Sequence, residues 1–243
     1  MALTIFVDFD GTITRQDVGN AFFRKYVGRE RYDAILQEYL GERISARECF
    51  RRGVEAMGPL NREEAAAFVR EHQIDPTFKD FVDFCRQMNL EFHVVSDGLD
   101  FYIQEILLAS RIPGLSVFSN TLEFVPEEDP ASCRLRISFP HGDAECTRCA
   151  CCKRNILLTH SGDDDVIAYV GEGYSDRCPA RYADIVFAKD SLQTYCQENN
   201  ISYYLYQSFQ DVKDRLEDLL SRKRLRKRRS AEMKRREVFM AEP

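Results

Sequence analysis

Three apolar segments of this chain end in polar clusters of different kinds. Leu3-Thr4-Ile5-Phe6-Val7 runs into Asp8-Phe9-Asp10-Gly11-Thr12, and Phe92-His93-Val94-Val95 runs into Ser96-Asp97-Gly98. Val166-Ile167-Ala168-Tyr169-Val170 runs into Gly171-Glu172-Gly173-Tyr174-Ser175-Asp176. Carboxylates gathered at one place cannot all stay ionised without a countercharge. A hard divalent cation answers that need, and Mg²⁺ takes one or two carboxylates plus waters and a phosphate. Ser96 and Lys153 are natural phosphate partners, one a neutral donor and the other a point charge. A bare carboxylate attacks a phosphate dianion poorly because both are negative, so metal and lysine together would have to cancel the repulsion. The plainer alternative is that Asp8, Asp10 and Gly11 form a strand-end turn and nothing more.

The elements that must position these groups follow from periodicity. Short continuous apolar runs mark strands buried on both faces, and ligands gather beyond the carboxyl ends of parallel strands. Residues 17–72 carry apolar residues at three- and four-residue steps, such as Phe22, Phe23 and Tyr26, or Tyr32, Ile35, Leu36 and Tyr39. That spacing predicts helices, with a capping box at Ser45 and Glu48. Further helices are expected over 77–89, 100–110 and 153–161, and one long helix over 208–237. Leu115–Phe118 reads as a short third strand. Leu122–Val125 and Cys133–Phe139 read as a hairpin, Ile185–Ala188 as a strand, and Ile201–Tyr206 as an edge strand. Strands alternating with helices imply an α/β protein with a parallel sheet covered on both faces.

Composition narrows the class. The chain has 243 residues, 44% hydrophobic and 30% charged, which excludes a disordered chain and a small disulfide scaffold. No apolar stretch reaches the roughly 18 residues of a membrane span. Residues 221–243 hold ten Lys/Arg against three Glu, leaving 24 basic against 37 acidic residues in 1–220. An acidic body lacks the footprint of a nucleic-acid-binding domain. Scattered cysteines and the absence of a basic leader at Met1 point to a reducing, cytoplasmic setting.

With these residues in view, the chain resembles the haloacid-dehalogenase superfamily of phosphohydrolases. All four motifs of that superfamily occur in order over residues 3–180. The resemblance implies a Rossmann-like three-layer fold with a helical cap. It implies a discontinuous core (1–14 and 76–220), a cap (15–75), a hairpin and Cys-rich insertion (120–152) and a basic tail (221–243). It also implies roles. Asp8 would be the nucleophile that becomes aspartyl-phosphate, and Asp10 the acid for the leaving alcohol and then the base for water. Mg²⁺ would sit on Asp8, the backbone carbonyl of Asp10 and Glu172, with Asp176 binding directly or through water. Ser96, Asp97, Gly98 and Lys153 would hold the phosphoryl group. Many members have Asp where this chain has Glu172, and the extra methylene matters to a metal as strict as Mg²⁺.

A cap between the first and second motifs resembles the phosphoserine-phosphatase branch. Asp17 falls where that branch carries a substrate-facing Glu; the alternative is a residue that starts a helix. Gly53 stands where the branch has a carboxylate-binding arginine, which disfavours phosphoserine, and Arg51 and Arg52 read as solvated. The closer likeness is to methionine-salvage phosphatases acting on 2-hydroxy-3-keto-5-methylthiopentenyl-1-phosphate, and to relatives acting on phosphocholine and phosphoethanolamine.

Cys146, Cys149 and Cys152 sit at metal-ligand spacing, with Cys151 and His141 close by. A tight loop of buried thiols that positions Lys153, a zinc site and a redox disulfide are the three readings. The run Arg222–Arg229 reads as the solvated end of the last helix, or as a patch for a polyanion or membrane surface. The expected function is a Mg²⁺-dependent phosphomonoesterase of a small phosphorylated metabolite. The rivals are a phosphotransferase and a non-catalytic phosphate-binding scaffold.

Overall fold

A computed structural model describes residues 2–129, 132–223 and 225–241. In chain order, β1 (Leu3–Val7) leads through a tight turn at Phe9–Ile13 to four helices: α1 (Val18–Val27), α2 (Arg29–Leu40), α3 (Ala46–Met57) and α4 (Arg62–Arg70). Then come α5 (Phe78–Gln87), β2 (Glu91–Leu99), α6 (Asp100–Ala109), β3 (Ser116–Pro126) and β4 (Cys133–Ser138). The last third holds α7 (Lys153–Thr159), β5 (Val166–Gly171), α8 (Arg177–Ala180), β6 (Ile185–Ala188), α9 (Asp190–Glu198) and β7 (Tyr204–Leu205), ending in α10 (Phe209–Ser221) and α11 (Arg229–Ala241). The fold is α/β, with a mostly parallel seven-stranded sheet in the order β4-β3-β2-β1-β5-β6-β7. No described helix is long and apolar enough to cross a membrane.

The chain divides into two compact units. The first comprises Met1–Ile13, Asp75–Val95 and Lys153–Pro243. Here β1 pairs in parallel with β2 (Thr4↔Glu91 to Val7↔Val94) and with β5 (Leu3↔Val166 to Val7↔Val170). Flanked on both edges, β1 is buried at every position, which is why it reads as an unbroken apolar run. Phe78 and Phe81 of α5 pack their rings on Phe209 of α10, at 4.8 and 5.2 Å between centroids.

The second unit comprises Thr14–Ile74 and Ser96–Cys152, so the 120–152 segment falls with the helices of this unit. Ser45 caps α3 by accepting from the Glu48 amide, and Asn61 caps α4. Phe23 of α1 stacks on Tyr32 of α2 at 4.9 Å and 7°. A Cβ on Gly53 of α3 would lie 2.6 Å from Cε1 of Phe23, so glycine lets the helices approach.

Four expectations need correction. The predicted strand at Leu115–Phe118 and the hairpin arm at Leu122–Val125 are one strand, β3. The intervening polar residues do not break it: the buried Asn120 donates its amide to the Asp97 carbonyl at 2.6 Å, and Asp100 accepts the Leu122 amide. Pro130 and Ala131, in the hairpin turn, lie outside the described residues. The edge strand shrinks to Tyr204–Leu205.

The long terminal helix is two helices, α10 and α11. Lys223 takes a positive φ of 51° just after α10, and the like charges packed over 222–229 oppose a continuous helix. The basic run is also not wholly solvated. Asp184 Oδ1 accepts from the Arg228 amide at 2.9 Å and from the Arg235 guanidinium at 3.0 Å, and Ala231 and Arg235 are buried. Arg224 lies outside the described residues.

Candidate active site

Parallel pairing of β1 with β5 carries the first and third polar clusters to one end of the sheet. Asp8 follows β1 and donates its amide to the Val170 carbonyl of β5 at 2.9 Å. The chain then turns sharply through Gly11, whose φ of 70° favours glycine. A Cβ on Gly11 would come within 3.1 Å of Cδ and Oε1 of Glu172, so the Glu172 carboxylate rests against this glycine. After β5, Asp176 Oδ2 accepts the amides of Glu172 and Gly173, both at 2.9 Å, and so folds the loop back on itself. Gly171 is required for this closure, since a Cβ there would lie 2.6 Å from Asp176 Cγ.

Lys153, the first residue of α7, is wholly buried. Its Nζ donates to Asp8 Oδ1 at 2.6 Å, to Asp176 Oδ1 at 2.6 Å and to Ser175 Oγ at 3.1 Å. Tyr169, also wholly buried, donates its hydroxyl to the same Asp176 Oδ1 at 2.5 Å. Both oxygens of Asp176 thus accept hydrogen bonds. Asp10, half-buried, sits in the turn after Asp8.

Charge follows from burial. Burial pushes the Asp8 carboxyl up to about 7; the Asp176 charge adds to this and Lys153 opposes it. Burial alone would lower the lysine, but Asp176 and Asp8 outweigh it and hold the ammonium well above its ordinary range. Burial and the Asp176 charge keep the Tyr169 hydroxyl protonated. One ammonium against two carboxylates leaves a net negative charge in a dry place, which a cation would neutralise.

Among the described residues, no group of three His, Cys, Asp or Glu is arranged to hold a metal ion. Mg²⁺ needs only one or two carboxylates, its other positions being filled by carbonyls, waters and phosphate. The donors at the sheet end are hard oxygens with excess negative charge, and they fit Mg²⁺ in kind.

The remaining predicted residues lie in the second unit. Ser96, wholly buried, accepts the Gly98 amide on Oγ at 2.9 Å. Asp97 has a role that sequence reading missed: its Oδ1 accepts the amides of Ala150 and Cys151, both at 2.7 Å, and pins the cysteine loop. All nine cysteines are free thiols. Hydrogen bonds with the Cys146 and Cys152 thiols, then burial and the Asp97 charge, raise the Cys149 pKa far above its usual range, so it stays a thiol.

Asp17 caps α1, its Oδ1 accepting the Asn20 amide at 2.7 Å. It also lines a cavity of about 540 Å³ with Asn20, Arg24, Lys25, Arg29 and Phe68. Arg51 pairs with Glu48, and Arg52 with Glu48 and Glu38, so both are engaged at the helix surface. Tyr169 and Ser175 were not singled out from sequence. A tyrosine in an apolar run reads as packing, and only its hydroxyl hints at a buried partner.

Comparison with known proteins identifies the relatives of this chain. The family model described as "Putative Phosphatase" matches residues 3–213. A 2-hydroxy-3-keto-5-methylthiopentenyl-1-phosphate phosphatase of Bacillus cereus is 30% identical over 223 residues, covering 90% of this chain and 98% of the relative. A solved phosphoserine phosphatase, an analogue of its phospho-aspartyl intermediate, superposes with a TM-score of 0.62 at 18% identity, over 90% of this chain and 97% of the other. A haloacid-dehalogenase-family hydrolase of Salmonella enterica serovar Typhi gives 0.64 at 18% identity, over 85% and 68%. At such identities the solved structures speak for the fold alone.

Proposed function

The chain belongs to this family of phosphoric monoester hydrolases, and from that premise we propose that it hydrolyses a small phosphorylated metabolite through an aspartyl-phosphate formed on Asp8. The observation that carries the reading is the buried Asp8–Lys153–Asp176 chain, with both ion pairs at 2.6 Å. A fixed ammonium beside a buried carboxylate is what an anionic nucleophile needs to meet an anionic substrate.

Asp8 attacks phosphorus, and the P–O bond to the leaving alcohol breaks. Asp10 gives that oxygen its proton, then takes one from the water that cleaves the acyl-phosphate, so acid and base return to their starting states. Lys153 stabilises the charge on the transferring group, and by the family likeness Ser96, Asp97 and Gly98 would be phosphate-binding residues. Asp8, the Asp10 carbonyl and Glu172 would hold Mg²⁺, which supplies the positive charge that lets a carboxylate approach a phosphate dianion. Asp176, with both oxygens already accepting hydrogen bonds, supports the site from outside by holding Lys153 and the Glu172 loop.

The substrate we favour is 2-hydroxy-3-keto-5-methylthiopentenyl-1-phosphate, on which the Bacillus relative is named as acting. Gly53, tight against Phe23 in place of an arginine, speaks against phosphoserine. The free thiols favour a cytoplasmic location.

A phosphate-release screen over p-nitrophenyl phosphate and a panel of phosphorylated metabolites tests the proposal. The panel includes phosphoserine, phosphocholine and phosphoethanolamine. Turnover should stop with chelator, return with Mg²⁺ and fall at least about a thousandfold in Asp8→Asn. Turnover that survives Asp8→Asn rejects the mechanism.

A further inference from the structure

Tyr169 sits at the centre of β5, paired with Phe6 on one side and Val186 on the other. The positions around it, Val166, Ile167, Ala168 and Val170, are aliphatic and as deeply buried. Packing alone would be served by phenylalanine, and a buried hydroxyl is costly unless it is bonded. The hydroxyl donates to Asp176 Oδ1 at 2.5 Å.

That oxygen is the one that also accepts Lys153 Nζ, at 2.6 Å. Lys153 in turn stands at the same 2.6 Å from Asp8 Oδ1. Hydroxyl and ammonium therefore share one carboxylate oxygen. A donor placed on that oxygen draws off part of its negative charge and weakens its hold on the ammonium. Without it, Asp176 would hold Lys153 more strongly relative to Asp8.

We propose that Tyr169 is a positioning residue for the reaction: by donating to Asp176 it keeps the Lys153 ammonium shared with Asp8, where the phosphoryl group is transferred. The inference rests on the proposed roles of Asp8 and Lys153. The effect belongs to the transition state, in which charge on the transferring group is greatest, so it falls on kcat more than on KM.

The test compares wild type, Tyr169→Phe, Asp176→Asn, the double variant and Asp8→Asn, with p-nitrophenyl phosphate and Mg²⁺. Tyr169→Phe should lower kcat about tenfold and change KM less than about twofold. In the Asp176→Asn background the same change should cost less than about twofold, because the two residues act through one oxygen. A purely packing role would lower the melting temperature and cost the same factor in both backgrounds. Wild-type kcat in Tyr169→Phe, or equal factors in the two backgrounds, overturns the proposal. If Tyr169→Phe does not fold, Tyr169→Met carries the same expectation. An active Asp8→Asn would instead reject the nucleophile assignment, and this inference with it.

Discussion

Lys153 Nζ stands 2.6 Å from Asp8 Oδ1, and both side chains are almost wholly removed from solvent. An ion pair this dry costs several kcal/mol of desolvation per ion before its attraction counts. A fold that kept it for stability alone would do better with apolar residues. Its retention at the end of a strand, beside a turn that exposes Asp10, is better explained by chemistry.

The same burial has a signature in stability. The folded Asp8 carboxyl sits at about 7, above its unfolded value of 3.8. Its protonation therefore favours the folded state most below about pH 4, and that contribution is lost as the pH rises to about 7. In chelating buffer, Asp8→Asn should melt several degrees above wild type at pH 8, with the gain shrinking toward pH 5. Calorimetry at the two pH values checks this, and an equal gain at both would count against it.

Asp97 holds the cysteine loop through the amides of Ala150 and Cys151, both buried residues. Replacing it with alanine should cost about 2–4 kcal/mol, the penalty for two unpaired buried donors. The buried Cys149, Cys151 and Cys152 should then react with a thiol reagent under native conditions. Unchanged labelling rates would show that the loop is held by other means.

Gly53 leaves no room for a methyl group against Phe23. Gly53→Ala should destabilise by about 1–3 kcal/mol through overpacking. For a chain of this size that is a melting shift of about 3–10 °C. A melting temperature equal to wild type would mean that α1 and α3 separate freely.

Arg235 reaches back from α11 to the buried Asp184, whose other oxygen accepts the Ile167 amide of β5. Arg235→Ala leaves that carboxylate with backbone donors alone and should cost about 2–3 kcal/mol. Truncation before Arg229 should do at least as much harm. A truncated chain as stable as the full one would return the tail to solvent.

Much of the site could be read before the fold was known. Asp8, Asp10, Glu172 and Asp176 each end an apolar run, and a parallel sheet brings such ends together. Lys153 opens a predicted helix and lies within hydrogen-bonding reach of Asp8 and Asp176. The helical stretch over 17–72 and the strands β1, β5 and β6 follow from periodicity and burial, which are local properties.

Other features were not legible, for a physical reason. Whether β3 breaks at Asn120 depends on Asp97, 23 residues away, accepting its amide. Where the last helix docks depends on a buried carboxylate at Asp184, far back in the chain. Tyr169 looks like one more apolar residue until Asp176 is seen beside its hydroxyl. Residue types, their spacing and the family likeness they carry were enough to state the class of enzyme and the class of fold. The partners of each buried polar atom come from distant segments, and only the packed chain shows which donor meets which acceptor.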